Sequence, residues 1–246
     1  MANFKAEFYS KSLLRKYQVN VVIPSLNLQG TLLNKNESYY QDRIKQKFPL
    51  IIFLCGFGDN QESWIQNTAV VELLEKHNVA ACFINGENKW YLNLGDLDNY
   101  YDLLEKDLCD FLYGNFINLS KEAPLIIAGV SMGGYGAQYH YLKNIDKYDA
   151  CIALSPAIHP DHMDYTKYGT LEDLYLQNKG KKLNIYLSVG EKDFIVDTIK
   201  EFDKFLIDNK LGVSYHYIKD KIHSWDLWRD EINNAFIYLK DLKLID

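Results

Sequence analysis

The chain lacks most of what would tie it to an oxidising compartment, a metal, a nucleic acid or a membrane. Only four of its 246 residues are cysteine, at positions 55, 82, 109 and 151, with no Cys-x-x-Cys pair and no zinc-like spacing. Cys55, Cys82 and Cys151 lie inside apolar, strand-like segments, where a free thiol behaves as a small hydrophobe. Positive charge is scarce: 27 Lys and Arg stand against 33 Asp and Glu, for a net charge of −6. An acidic chain repels a phosphate backbone unless its cations cluster, and the basic runs at 43–47 and 219–221 are short and mixed. No nucleic-acid partner is therefore expected. No stretch approaches a membrane span, and Met1-Ala2-Asn3-Phe4-Lys5 carries neither an apolar run nor a cleavage site. The expectation is a soluble cytoplasmic protein with no membrane partner. There is also no repeat, low-complexity tract or Pro/Gly linker, so residues 1–246 read as one domain.

What is present is an alternation of apolar runs and amphipathic stretches. Hydrophobic residues make up 48% of the chain and aromatics 14%, with 19 tyrosines. Residues 48–56 (FPLIIFLCG), 79–85 (VAACFIN), 125–130 (LIIAGV), 148–154 (YDACIAL) and 184–189 (NIYLSV) read as buried strands. Residues 17–24 (YQVNVVIP) read as an early strand near a sheet edge, and 213–218 as the last one. Between them, 62–77, 97–113, 194–209 and 225–242 have helical spacing, and the polar stretch 28–47 reads as a turn or surface excursion. This is the pattern of an α/β fold, a mostly parallel sheet flanked by helices on both faces.

The chemistry-bearing segment is Gly129-Val130-Ser131-Met132-Gly133. It fits G-x-S-x-G, a tight strand-to-helix turn that projects a serine hydroxyll into a site. By composition alone such a match occurs by chance in roughly one chain in ten of this size. Here it follows an apolar strand and runs into a plausible helix through Lys143, as the turn requires. The helix start directs the Met132 N–H and the positive end of the helix dipole toward the space above Ser131. A second oxyanion donor is expected from the loop after the earlier central strand, Cys55-Gly56-Phe57-Gly58, with Phe57 N–H the choice.

A serine nucleophile needs a base and an acid, each just after a later strand. His223 sits in a short polar loop past residues 213–218, whereas His216 lies within that strand. Asp193 closes residues 184–189 and can hold the imidazole tautomer, with Glu191 and Asp197 as competitors. His77 ends a helix and His140 lies on the helix after Ser131. His159 and His162 flank Pro160-Asp161 without a further ligand pair, so no metal is expected.

Taken together, 129–137 (GVSMGGYGA), 54–64 (LCGFGDNQESW), 190–197 (GEKDFIVD) and 223–228 (HSWDLW) resemble the putative-esterase family of α/β-hydrolases, which includes esterase D and the S-formylglutathione hydrolases. Phe8-Tyr9-Ser10-Lys11-Ser12-Leu13 looks like the first strand of its tributyrin-esterase branch. The resemblance implies a cofactor-free serine carboxylesterase acting on short-chain acyl esters. It assigns Ser131, Asp193 and His223 as the triad, with the N–H groups of Phe57 and Met132 as the oxyanion hole. S-formylglutathione hydrolysis and deacetylation of saccharides are the related alternatives, and a silent binding protein is the alternative of another class. The family usually has His-Gly where this chain has Cys55-Gly56. Trp90, Tyr91 and Trp225 are the candidate substrate contacts, and residues 158–180 a candidate cap. The expected partners are a small-molecule ester and, at most, further copies of the chain as a homo-oligomer.

Overall fold

A computed structural model of the chain describes residues 1–26, 32, 37–160 and 163–246. Among these, β1 (Ala2–Ser10), β2 (Arg15–Ile23), β3 (Leu50–Leu54), β4 (Ala80–Ile84), β5 (Leu125–Val130), β6 (Ala150–Leu154), β7 (Ile185–Gly190) and β8 (Tyr215–Ile218) form one sheet, in the order β1-β2-β4-β3-β5-β6-β7-β8. The β1–β2 hairpin is antiparallel, as is the β2–β4 pairing, and every pairing from β4 to β8 is parallel. The sheet is thus the mostly parallel one expected.

The apolar runs are continuous because both faces of the central strands are covered. In β3, Leu50, Ile52 and Leu54 enter one core while Ile51 and Phe53 enter the other; Leu125 and Ile127 of β5 oppose Ile126, Ala128 and Val130 in the same way. The first core receives α4 (Tyr100–Asp102, running through a π-helical turn Leu103–Asp107 into Leu108–Asn115), α5 (Met132–Lys143), α7 (Leu171–Gln177) and α8 (Val196–Asp208). The second receives α2 (Ser63–Asn67), α3 (Val70–Lys76) and α9 (Trp225–Asp241). Two further helices, α1 (Glu37–Lys45) and α6 (Tyr165–Tyr168), complete the described set.

Several local expectations change. Residues 37–45 of the polar stretch form α1, and residues 28–31 and 33–36 lie outside the described residues. The helix expected over 62–77 breaks at Thr68, which is extended. Its hydroxyl donates at 2.7 Å to the Trp64 carbonyl, which also accepts Thr68 N–H at 3.2 Å, and it accepts from Val70 N–H at 3.1 Å, satisfying a free donor at the start of α3. The helix over 97–113 starts at Tyr100 and widens at Leu103–Asp107. There the Leu104 carbonyl accepts from the Cys109 thiol and the Glu105 carbonyl from Lys147.

Candidate active site

The site lies at the carboxyl ends of the parallel strands, where chain order departs in opposite directions from β3 toward β4 and toward β5. Open α/β sheets bind ligands at such a point. Ser131 joins β5 to α5 with φ 53° and ψ −117°, a region that costs a non-glycine residue energy and is held by its surroundings. Those surroundings are tight. A methyl added at Gly129 would lie 2.1 Å from the Gly133 carbonyl oxygen, and one at Gly133 would lie 2.5 Å from that of Leu54. Glycine at both positions lets the start of α5 close against its own strand and against the end of β3. Ser131 N–H donates to the Leu154 carbonyl at 3.0 Å, and its carbonyl accepts from Ala157 N–H at 3.2 Å, which ties the turn to the end of β6.

Asp193 follows β7 and is buried, and His223 follows β8. His223 Nδ1 lies 2.9 and 3.0 Å from the two Asp193 carboxylate oxygens, so Nδ1 carries the proton and Nε2 is left as an acceptor. Asp193 Oδ1 also accepts from Ile195 N–H at 3.1 Å, fixing the carboxylate. The edge of the Trp228 indole faces the imidazole at 5.0 Å between centroids, and Phe194 covers it at 4.6 Å. Trp228 Nε1–H in turn donates to Ser155 Oγ at 3.2 Å, next to the residue that anchors Ser131. The structure thus joins Asp193 and His223 directly and links them to the Ser131 turn through Trp228. Ser131 Oγ makes no hydrogen bond to His223 here; such contacts commonly tighten only around a substrate.

The competing residues go elsewhere. His216 is exposed and stacks on Tyr186 at 4.9 Å. Asp197 is exposed and pairs with Lys200, and Glu191 lines a groove beside α8. His159 pairs with Glu172 at 2.7 Å, and His162 lies outside the described residues. Among the described residues no cluster of three metal-ligating side chains occurs.

The loop after β3 packs on the serine: a methyl at Gly56 would be 3.5 Å from Ser131 Cβ. Among the described residues, neither Phe57 N–H nor Met132 N–H donates to a protein acceptor. The loop is pinned around them. Trp64 Nε1–H holds the Leu54 carbonyl at 3.0 Å, and Gly58 N–H donates to Asn88 Oδ1 at 2.7 Å. Burial pushes the Asp59 carboxyl upward against the hydrogen bond from Ser63. Cys55 is buried with its thiol pKa raised by that burial, and its Sγ and carbonyl both take the Tyr91 hydroxyl.

Of the three candidate substrate contacts, Trp90 is the one that lines a described cavity. It lines a cavity of about 690 Å³ with Phe57, Asn88, Lys89, Lys167 and Tyr168, reaching the 158–180 segment. Tyr91 is fully buried beneath the loop. Trp225 is half-buried and packs on Trp64 and Trp228 at 5.4 and 5.0 Å. Both touch the loop or its supports. Sequence reading passed over Asn88, Glu105 and the inner role of His140. A signal did exist for His140: α5 is buried nearly all round, yet carries Gln138 and His140 inside.

This sheet order, with helices on both faces and a serine at a strained strand-to-helix turn, defines an α/β-hydrolase. Solved structures share the fold over nearly the whole chain. An S-formylglutathione hydrolase from Staphylococcus aureus superposes with a TM-score of 0.78 at 19% identity, covering 97% of this chain and 98% of that one. A ferulic acid esterase gives 0.74 at 15% identity, covering 96% of each. The family model described as Putative esterase matches residues 24–239, and the chain belongs to that family. An acetyl esterase of Caldicellulosiruptor saccharolyticus is 27% identical across 97% of this chain and 98% of its own length. An S-formylglutathione hydrolase of Arabidopsis thaliana is 26% identical across 46% of this chain and 48% of its own. The protein is a carboxylic ester hydrolase.

Proposed function

We propose that this esterase hydrolyses short-chain acyl esters through an acyl-enzyme on Ser131. The observation that carries the reading is the Asp193–His223 pair, which leaves Nε2 unprotonated on the same strand ends as the strained Ser131 turn. Ser131 Oγ attacks the ester carbonyl while His223 Nε2 takes its proton, and the N–H groups of Phe57 and Met132 receive the oxyanion. His223 then protonates the departing alcohol, and water releases the acid by the reverse steps. No cofactor enters this sequence.

The short acyl preference is supported by the acetyl esterase relative that matches along its whole length. The cavity beside Phe57 mixes the rings of Trp90 and Tyr168 with Asn88, Lys89 and Lys167, a lining that suits a hydroxylated leaving group such as an acetylated saccharide. We take the chain as a single domain in which the described part of 158–180, which excludes residues 161 and 162, forms a small cap on that cavity. Its four free, buried thiols suit a reducing compartment, and we place the activity in the cytoplasm.

Hydrolysis of p-nitrophenyl esters from acetate to decanoate, wild type beside Ser131→Ala, tests the proposal. The expected result is a maximum at two to four acyl carbons and a loss in the variant of at least about 10³-fold. A Ser131→Ala protein with a sizeable share of wild-type turnover would refute the nucleophile.

A further inference from the structure

A chain of buried polar contacts runs from the π-helical turn of α4, across α5, to the loop after β3. Glu105 stands in the widened turn and receives Lys147 Nζ at 2.6 Å, the Tyr148 hydroxyl at 2.8 Å and His140 Nδ1 at 2.5 Å. Burial alone would raise its pKa, but His140 and Lys147 outweigh burial and hold it at about 2. Glu105 is therefore a carboxylate that can only accept, and His140 Nδ1 donates to it. The other imidazole nitrogen, Nε2, lies 2.8 Å from the Tyr91 carbonyl, which also only accepts. The last step is the Tyr91 hydroxyl, which donates to the Cys55 carbonyl at 3.0 Å.

Each link is costly in a core and has no packing reason to be polar. An unpaired buried polar group is destabilising, and apolar side chains would fill the same space without that risk. The Tyr91 backbone is itself in the left-handed region, at φ 58°, beside Trp90 at 56°. It needs an outside hold, and His140 supplies one at the carbonyl. Its ring lies in space left by Gly136, where a methyl would come within 2.7 Å. The far end of the chain is the Cys55 carbonyl, whose peptide plane, shared with Gly56 N–H, immediately precedes the Gly56–Phe57 peptide that carries the Phe57 N–H.

We propose that Tyr91, oriented by His140 and Glu105, is a positioning residue that holds the oxyanion loop for the tetrahedral intermediate. The proposal rests on the assignment of Phe57 N–H to the oxyanion. An N–H anchored in advance stabilises developing charge without reorganising, whereas a loop free to tilt loses that gain in the transition state and not in the bound substrate.

Tyr91→Phe removes only the hydroxyl. Turnover of p-nitrophenyl acetate is measured per active site, counted by exhaustive labelling with a fluorophosphonate. Beside it is measured the inhibition constant of a trifluoromethyl ketone, whose adduct places an oxyanion in the same position. The expected result is a kcat per labelled site lower by about tenfold, a KM within about twofold of wild type, and ketone affinity weakened in parallel with kcat. Glu105→Gln, which keeps the shape and removes the charge, should move the same quantities in the same direction, and it carries the test should Tyr91→Phe not fold. A purely structural role would lower the number of labelled sites and leave kcat per site and ketone affinity unchanged; that result in the folded variants overturns the proposal. Failure of wild-type Ser131 to take the label would instead overturn the nucleophile assignment, and with it the oxyanion geometry on which the relay depends.

Discussion

Gly133→Ala puts a methyl carbon 2.5 Å from the Leu54 carbonyl oxygen and 2.6 Å from that of Cys55. Both are backbone atoms at the end of a central strand, so neither can rotate away. Restoring ordinary contact near 3.5 Å requires β3 and the start of α5 to part by about 1 Å. Overpacking of this kind costs about 1–3 kcal/mol, and the rigid partners place it at the upper end. For a chain of this length, at about 2–4 °C per kcal/mol, that is a fall in Tm of roughly 6–12 °C. The functional loss should be larger, because the displaced atoms lead into the loop proposed to bind the oxyanion, and a shift of about 1 Å in a positioned group costs on the order of 100-fold. Thermal unfolding by circular dichroism, with esterase kinetics normalised to reactive sites, reads both effects. Gly114→Ala is the matched control. A methyl there meets nothing within 4 Å, and the change should be neutral or stabilise by about 0.4–1 kcal/mol with full activity. A Gly133→Ala protein with unchanged Tm and wild-type turnover would show that the contact between α5 and the β3 carbonyls does not govern the site.

Three further outcomes are expected. Asp193→Asn should leave the fold in place and lower kcat by about 10³–10⁴-fold at neutral pH, since an amide no longer fixes the Nδ1–H tautomer of His223; activity within tenfold of wild type would remove Asp193 from the triad. Glu105 has a folded-state pKa of about 2 against an ordinary 4.5, so its stabilisation is complete above the ordinary value and is lost as pH falls through the folded one. Urea unfolding between pH 5 and 2 should therefore show a shallower loss of stability in Glu105→Gln than in wild type, and parallel curves would contradict the buried ion pairs. Finally, burial raises the Cys55 thiol pKa, so the native protein should resist iodoacetamide and take it up only on unfolding. Rapid native labelling at Cys55 with loss of activity would reverse that assignment.

The legible part of the molecule was the part written in local pattern. The β3, β5 and β6 runs declare themselves because both sheet faces are covered, and the glycines around Ser131 because the turn tolerates nothing larger. The sequence neighbours of Asp193 and His223 told which strand each follows, and the 2.9 Å contact between them agrees. What escaped depends on partners distant in sequence. The Thr68 break comes from one hydroxyl competing with the helix, and the π-helical turn from Lys147 and Cys109 claiming carbonyls. Trp225 and Tyr91 sit where aromatics near a site were expected, yet their contacts run to Trp64 and Cys55, a distinction no periodicity contains. The effect of Cys55 on loop rigidity was likewise invisible until Tyr91, far along the chain, was seen to hold its carbonyl.

The order of strands across the sheet has a consequence for the protein as it is made. Ser131 follows β5 in the middle of the sheet, while His223 hangs from a loop beyond β8, the outermost strand on one side. His223 is then held by Trp228, a residue of the closing helix that seals the second core. On the proposed mechanism, a ribosome-bound chain that has emerged only past Ser131 has the serine turn and the loop after β3 but lacks His223, and should not turn over an ester. On that reading, reactivity waits for the C-terminal helix to dock, and an unfinished or clipped chain is expected to be silent.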